Sequence, residues 1–185
     1  MPRPALTPCQ QWDAQLLLQA QGVRVVFLDV DGVLTDGGLY FSAEGESLKR
    51  FHTLDGHGLK MLQKAGITPA VVTGRDSAPL RLRLKQLGIE HARFGTEDKV
   101  PAAESILAEL GLQWSQAAAM GDDWPDLPML RRTCFAAAPA NAHEEVLHTA
   151  DWVSSRCGGE GAVRQLCDLL LAANGAYAAL LAGYG

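Results

Sequence analysis

Short β-rich runs alternate with helical runs from residue 24 onward, and this alternation restricts the fold more than any other feature of the sequence. The predicted elements are strand 24–29, helix 56–65, strand 67–73, helix 77–87, strand 89–94, helix 99–110, strand 117–120, a helix near 124–132, and strands 134–137 and 151–153. Such alternation is typical of a parallel sheet with helices on both faces. We therefore expect an α/β fold with a doubly wound parallel sheet.

Glycine and aspartate residues mark several predicted helix ends. Gly66, Gly88 and Gly111 each follow a helical run, where a glycine in the left-handed conformation commonly ends a helix. Asp55 and Asp76 stand where N-cap residues are expected. These residues support the predicted helix boundaries.

One segment interrupts the alternation. Between Asp31 and the helix at 56, the runs LYFS and ESLKRF flank Ala43, Glu44 and Gly45, which predicts a projecting β-hairpin. Its apolar residues are Leu39, Tyr40, Phe41, Leu48 and Phe51. A lone two-stranded ribbon cannot bury so many, so we expect a partner subunit to cover them. The alternative is a hairpin that folds back onto its own domain.

Composition and charge exclude several classes of protein. The chain has 185 residues, 48% of them hydrophobic, which suits one globular domain. A formal net charge of -5 without a basic run argues against a nucleic-acid partner or a membrane surface. No apolar run approaches a membrane span, the initial MPRPALTPCQQWD lacks a secretory pattern, and the four cysteines have no CxxC spacing. We expect a cytoplasmic protein with reduced thiols.

Polar residues follow the predicted strands, at the edge where open parallel sheets bind ligands. They are Asp29, Asp31, Thr73, Gly74, Arg75, Lys99, Asp122 and Asp126. Carboxylate oxygens without an accompanying His or Cys cluster favour Mg²⁺. We predict that Asp29, Asp31 and Asp122 bind Mg²⁺, and that Asp126 supports these ligands without binding the metal itself.

The same residue types suit phosphoryl transfer. Asp29 is the predicted nucleophile, and Asp31 is the predicted acid that protonates the leaving alkoxide and recovers a proton from water. Lys99 is predicted to hold Asp29 and to stabilise phosphoryl charge, because a cation is otherwise poorly placed at a helix start. Thr73 and adjacent backbone N–H groups, including that of the following glycine, would bind the phosphate. Arg75 either binds a substrate carboxylate or forms a surface salt bridge.

Four segments, taken in order, resemble the signature of the haloacid dehalogenase superfamily. They are DVDG at 29–32, TGR at 73–75, Lys99, and GDDWPD at 121–126. The resemblance implies a Rossmann-like fold and an aspartyl-phosphate intermediate. The superfamily's GDxxxD spacing also points to Asp122 and Asp126, rather than Asp123, as the functional pair.

Within that superfamily the chain resembles the capless family of 3-deoxy-D-manno-octulosonate 8-phosphate phosphatases of lipopolysaccharide biosynthesis. The matching segments are DGVLTDGGLYF, FHTLDGHGLKML and GGEGAVRQLCDLLL, and no insertion is long enough for a cap domain. The resemblance implies magnesium-dependent hydrolysis of that phosphomonoester. It also implies a homotetramer whose hairpins form a central barrel and whose neighbouring subunits help to close each site. Gln165 departs from the family, which more often has Glu there.

The resemblance covers residues 23–172 and divides the chain. We predict an N-terminal tail and helix at 1–22, with the helix over 10–21, a phosphatase domain at 23–173 and a C-terminal tail at 174–185. Contact between His57 and the sugar, across a subunit boundary, is a further hypothesis.

Three alternative functions stay open at this point. A receiver domain also combines an acidic pair, a phosphorylated aspartate, Thr and Lys, but that aspartate ends the third strand, which here ends ARFGT. A catalytically idle oligomerisation module would not need the intact motifs. The third alternative is a phosphatase acting on another nonulosonate or sugar phosphate.

Overall fold

The computed structural model describes residues 6–185, and a parallel sheet forms its centre. The strands of this sheet are β1 Val25–Leu28, β4 Thr68–Val72, β5 Ala92–Arg93, β6 Ala117–Met120, β7 Phe135–Ala138 and β8 Trp152–Val153. Their spatial order is β5-β4-β1-β6-β7-β8, and every adjacent pair is parallel. A separate antiparallel pair is formed by β2 Tyr40–Ser42 and β3 Gly45–Leu48.

Helices cover both faces of the sheet. They are α1 Ala14–Ala20, α2 Thr53–Lys64, α3 Ala78–Leu87, α4 Lys99–Leu110, α5 Leu127–Leu130, α6 Glu144–Thr149, α7 Ala162–Ala173 and α8 Tyr177–Ala182. One hydrophobic core joins the sheet to α1, α2, α3 and α7, and a second joins it to α4, α5 and α6. The predicted doubly wound α/β fold is confirmed.

The central strand shows why the sequence folds this way. Val26 and Leu28 of β1 pack into the first core, whereas Val25 and Phe27 pack into the second. All four side chains are fully buried. A strand covered on both faces needs an uninterrupted apolar run, and VVFL provides one.

The predicted helix ends are partly right. Gly88 and Gly111 end α3 and α4 in the left-handed conformation, as expected. The predicted N-caps Asp55 and Asp76 are wrong, because His52 caps α2 and Ser77 precedes α3. Helix α2 begins two residues before Asp55, and α3 begins two residues after Asp76. Each carboxylate therefore bonds to a partner other than the start of its helix.

Those partners explain the difference. Asp55 is buried in the first turn of α2 and accepts the backbone N–H of Arg164 at 2.7 Å, which ties α2 to α7. Asp76 forms two hydrogen bonds with the guanidinium of Arg81, at 2.7 and 2.6 Å. Both carboxylates therefore stabilise neighbouring elements without capping a helix.

The predicted hairpin is present and projects its apolar side chains outward. Phe41 and Leu48 are each 64% exposed, and Leu39 and Tyr40 are also exposed. Phe51 differs from them, since it forms an isolated bridge with Thr35 and packs against the first core. The segment between β4 and α4 contains only α3 and β5, so it holds no cap domain in the described structure.

The end of the chain is more ordered than a tail. Helix α8 lies within the predicted C-terminal tail at 174–185, and its Leu180 packs against the first core. Among residues 6–185, no helix combines the length and the apolar character that crossing a membrane requires. The division of the chain at 22 and 173 stays a prediction.

A pair of glycines locks the loop after β1. A Cβ added at Gly158 would lie 1.7 Å from the carbonyl oxygen of Gly32, and the backbone N–H of Gly159 donates to the carbonyl of Val33 at 3.0 Å. The glycine-rich segment before α7 therefore packs backbone to backbone against the loop that follows Asp29. No residue with a side chain fits at position 158 without moving that loop.

We expect Gly158→Ala to destabilise the protein by about 3 kcal/mol or more, because the new methyl group must displace main chain. Gly111→Ala is the control, since Gly111 has a φ of +65° and nothing within 4 Å of an added Cβ. That variant should lose only about 1–2 kcal/mol of stability, because alanine is strained in the left-handed backbone conformation. Differential scanning calorimetry should show the larger fall in melting temperature for Gly158→Ala, and equal falls would contradict the packing argument.

Candidate active site

The predicted site residues meet in one cleft at the carboxyl ends of β1, β4 and β6. Asp29 directly follows β1, Thr73 directly follows β4, and Lys99 is the first residue of α4. The cleft has a volume of about 560 Å³. It is lined by Asp29, Asp31, Thr73, Gly74, Arg75, Glu97, Lys99, Asp122, Asp123, Pro125 and Asp126. The structure thus brings together all eight residues named from the sequence.

The ammonium of Lys99 joins two buried carboxylates. Its Nζ lies 2.6 Å from Oδ1 of Asp29 and 2.6 Å from Oδ1 of Asp126, and its side chain is 4% exposed. Burial alone would lower the pKa of Lys99, but the two carboxylates raise it above its ordinary value. Lys99 therefore remains a fixed cation beside Asp29.

Asp126 organises the loop that carries Asp122. While its Oδ1 binds Lys99, its Oδ2 accepts the backbone N–H groups of Asp122 and Asp123 at 3.0 and 3.2 Å. The turn over Trp124–Asp126, with Pro125 at its centre, directs the carboxylate back onto this loop. Both oxygens of Asp126 are thus engaged, which fits the predicted supporting role.

Three carboxylates form a cluster suited to a cation. Oxygen atoms of Asp29, Asp122 and Asp126 all lie within 4.8 Å of one another. Burial raises the pKa of Asp29 to about 6 despite Lys99. Burial together with the charges of Asp29 and Asp126 raises the pKa of Asp122 to about 8. Crowded buried carboxylates lacking enough positive charge account for both shifts.

The charges of the whole cleft lining also indicate a site for a cation. Its lining contains six carboxylates but only two cationic side chains, Arg75 and Lys99. A phosphate dianion would be repelled from such a cleft unless a further cation were bound. An all-oxygen donor set in a partly hydrated cleft fits Mg²⁺, with Asp29 and Asp122 as the carboxylates best placed to hold it.

Asp31 lines the same cleft but does not join the carboxylate cluster. Its Oδ1 forms an ion pair with Nζ of Lys49, and its Oδ2 lies 3.8 Å from Nε of Arg75. The structure therefore assembles Asp29, Asp122 and Asp126, whereas the sequence predicted Asp29, Asp31 and Asp122 as metal ligands. Lys49 and Arg75 draw the Asp31 carboxylate toward the hairpin side of the cleft.

Lys49 is a residue that the sequence argument missed. It follows β3 directly, its side chain is 1% exposed, and its Nζ also lies 2.6 Å from Oε1 of Glu46. Burial alone would lower the pKa of Lys49, but hydrogen bonds and charge from Asp31 and Glu46 raise it. Lysines are common on exposed hairpins, so no signal in the sequence distinguishes this one.

The predicted phosphate-binding residues Thr73, Gly74 and Arg75 line the same cleft. Thr73 is buried, and its Oγ1 accepts the backbone N–H of Arg75 at 3.3 Å. At Gly74, the atom nearest to an added Cβ is the carbonyl oxygen of Thr96 at 3.8 Å, so the backbone there is open to the cleft. The side chain of Arg75 is 48% exposed.

Gly32 permits the close approach of two loops. Its φ is +94°, and an added Cβ would lie 2.1 Å from Oδ2 of Asp122. Any side chain at position 32 would displace the Asp122 carboxylate. The DVDG motif thus needs glycine at this position so that the Asp122 carboxylate can lie in the candidate metal site.

Other predicted residues lie away from the cleft lining. His52 caps α2, and His57 lies beside Tyr184, whose hydroxyl is 3.3 Å from Nε2 of His57. Gln165 forms no ion pair; its Oε1 accepts the hydroxyl of Ser154 at 2.6 Å and the N–H of Ser155 at 3.0 Å. It therefore holds the loop after β8.

The site combines a buried carboxylate beside a fixed ammonium, a carboxylate cluster that fits Mg²⁺, and a threonine hydroxyl next to open backbone. This combination is typical of metal-dependent phosphohydrolases.

Comparisons with known proteins narrow this class. A family profile for haloacid dehalogenase-like hydrolases matches residues 94–166. The chain is 38% identical to 3-deoxy-D-manno-octulosonate 8-phosphate phosphatase KdsC of Escherichia coli strain K12, over 88% of this chain and 86% of the relative. The chain belongs to this family of haloacid dehalogenase-like hydrolases.

Two solved structures are similar over most of their length. The Moraxella catarrhalis 3-deoxy-D-manno-octulosonate 8-phosphate phosphatase, in complex with magnesium, phosphate and KDO, is 36% identical with a TM-score of 0.89, covering 92% of this chain and 98% of that chain. The cobalt-bound enzyme of Haemophilus influenzae is 41% identical with a TM-score of 0.84, covering 86% of this chain and 93% of that chain. The recognition made from the four sequence motifs is confirmed.

Magnesium should stabilise the protein more at about pH 8.5 than at about pH 5.5. The raised pKa values of Asp29 and Asp122 mean that the metal-free native state holds more protons than the unfolded state. Stability of the metal-free protein therefore falls as the pH rises from about 4 to about 8, and Mg²⁺ replaces the lost protons. Thermal unfolding with and without Mg²⁺ measures this difference.

Asp122→Asn is the informative control for that measurement. It removes the carboxylate with the higher pKa, so the magnesium-dependent rise in melting temperature should shrink and lose most of its pH dependence. Equal magnesium effects at both pH values in the unaltered protein would contradict the proposed cation cluster.

Proposed function

We propose that this protein hydrolyses the phosphomonoester of 3-deoxy-D-manno-octulosonate 8-phosphate in lipopolysaccharide biosynthesis, through an aspartyl-phosphate on Asp29. The observation that carries the proposal is the buried Asp29 carboxylate, held by Lys99 beside Asp122 in a cleft that fits Mg²⁺. Family membership supports the choice of sugar phosphate.

In the first step, the free oxygen of Asp29 attacks phosphorus. The bond between phosphorus and the sugar oxygen breaks, an acyl phosphate forms on Asp29, and Asp31 gives a proton to the departing alkoxide. Lys99 orients Asp29 through its Oδ1, so the other oxygen is the attacking atom. Thr73 and the backbone at Gly74 stabilise the transferring oxygens.

In the second step, water attacks the phosphorus of the acyl phosphate. Its proton passes to Asp31, the bond between phosphorus and Asp29 breaks, and inorganic phosphate leaves. Asp29 is thereby restored as a carboxylate and Asp31 as the protonated acid. Asp29 and Asp122 would hold Mg²⁺, which would supply the positive charge that an anionic nucleophile needs to approach an anionic phosphoryl group.

Substrate selection involves the outer part of the cleft. Arg75 is half exposed beside Asp31 and can present its guanidinium to the sugar's carboxylate. A guanidinium at this position favours the phosphate of an acidic sugar over that of a neutral hexose. Related nonulosonate phosphates share the carboxylate, so they are the competing substrates.

The protein also functions as a homotetramer in the cytoplasm. The apolar side chains of Leu39, Tyr40, Phe41 and Leu48 on the hairpin are exposed and need a cover, which copies of the same hairpin can supply. The cytoplasmic assignment is supported by its four cysteines, none of which forms a disulfide.

A phosphate-release assay tests the reaction. Octulosonate 8-phosphate should be hydrolysed faster than nine-carbon keto acid phosphates and much faster than hexose phosphates, in the presence of Mg²⁺ and not after chelation. Asp29→Ala should lower turnover by at least about 10⁴-fold while melting temperature stays near that of the unaltered protein. Substantial turnover by Asp29→Ala, or preference for hexose phosphates, would refute the nucleophile or the substrate respectively.

Native mass spectrometry tests the assembly. A double variant, Phe41→Ser with Leu48→Ser, should convert the tetramer into smaller species, because it removes the two most exposed apolar side chains of the hairpin. Leu18→Ser is the matched control, as Leu18 of α1 is 63% exposed. A monomeric unaltered protein with full activity would contradict the role of the hairpin.

A further inference from the structure

We propose that Lys49 is a positioning residue for Asp31, which holds that carboxylate in place to accept the proton of the water that hydrolyses the aspartyl-phosphate. This inference rests on the proposed function. It assigns a catalytic consequence to a hairpin residue outside all four sequence motifs.

The contacts around Lys49 form a closed network. Its ammonium contacts one oxygen of Asp31 and lies 2.6 Å from Oε1 of Glu46. Arg75 completes the network, 3.8 Å from the second oxygen of Asp31 and 4.0 Å from Oε2 of Glu46. The side chain of Lys49 is 1% exposed, whereas that of Arg75 is 48% exposed. Lys49 is therefore the buried member of the network and Arg75 the exposed one.

The two carboxylate oxygens of Asp31 have different contacts in this network. Oδ1 is held by Lys49, while Oδ2 has only the longer contact with Arg75 and remains available to the cleft that Asp31 lines. A general base must keep its accepting atom within hydrogen-bond reach of the reacting water. Lys49 provides that constraint through its ion pair with Oδ1 of Asp31.

The position of Lys49 also links the site to the hairpin. Glu46 lies within β3 and Lys49 follows it directly, while the apolar residues of the same hairpin project outward. Asp31 itself belongs to the loop after β1. Two ion pairs, Lys49 with Asp31 and Glu46 with Arg75, thus connect the projecting hairpin to the cleft.

Pre-steady-state kinetics with p-nitrophenyl phosphate and Mg²⁺ tests this role in the full-length protein. Nitrophenolate leaves without a proton, so loss of Asp31 positioning should spare the first step and slow the second. In Lys49→Met we expect a burst of about one nitrophenolate per active site, followed by a steady-state rate lowered about 100-fold. Lys49→Arg should recover part of that rate, because it keeps the cation. Lys60→Met, on the exposed face of α2, should match the unaltered protein.

The outcomes separate the proposal from its alternatives. A burst in Lys49→Met with partial recovery in Lys49→Arg supports the positioning role. A raised KM with unchanged kcat would mean that Lys49 binds substrate instead, and a proportional loss of burst and steady-state rates would mean that it serves only the fold. Either result overturns the proposal. Absence of turnover in the unaltered protein would count against the proposed function and not against Lys49 alone.

Discussion

The ammonium of Lys99 lies between the carboxylates of Asp29 and Asp126, and the geometry of the cleft depends on this contact. A cation at the first residue of a helix opposes the helix dipole, so α4 alone would not favour lysine there. Two buried carboxylates offset that cost. In return, Lys99 fixes one oxygen of Asp29, the proposed nucleophile, and, through Asp126, the loop that carries Asp122. Three separate elements are therefore held in one arrangement by a single side chain.

The same arrangement leaves the cleft short of positive charge. Asp29 and Asp122 share one buried region, and burial raises the pKa of both, to about 6 and about 8. A native protein would be more stable without such a cluster, and Mg²⁺ is the ligand that relieves it. The carboxylate cluster therefore lowers the stability of the metal-free state, and a bound cation would restore it.

Much of this could be predicted from the sequence because the signals are local. The apolar run VVFL predicts a central strand, and the order of the strands at one edge predicts that Asp29, Thr73 and Lys99 converge. Non-local contacts could not be predicted in this way. Asp55 has the residue type of an N-cap but binds the backbone of Arg164 on the neighbouring helix α7, and the direction of the Asp31 carboxylate depends on Lys49, a residue 18 positions away.

The most direct test of the proposed metal site and nucleophile is a crystal structure of the protein grown with magnesium and a beryllium fluoride analogue of the phosphoryl group. We expect the cation between Asp29 and Asp122, with beryllium bonded to the Asp29 oxygen that Lys99 leaves free. A cation bound elsewhere, or beryllium bonded to any other carboxylate, would contradict it.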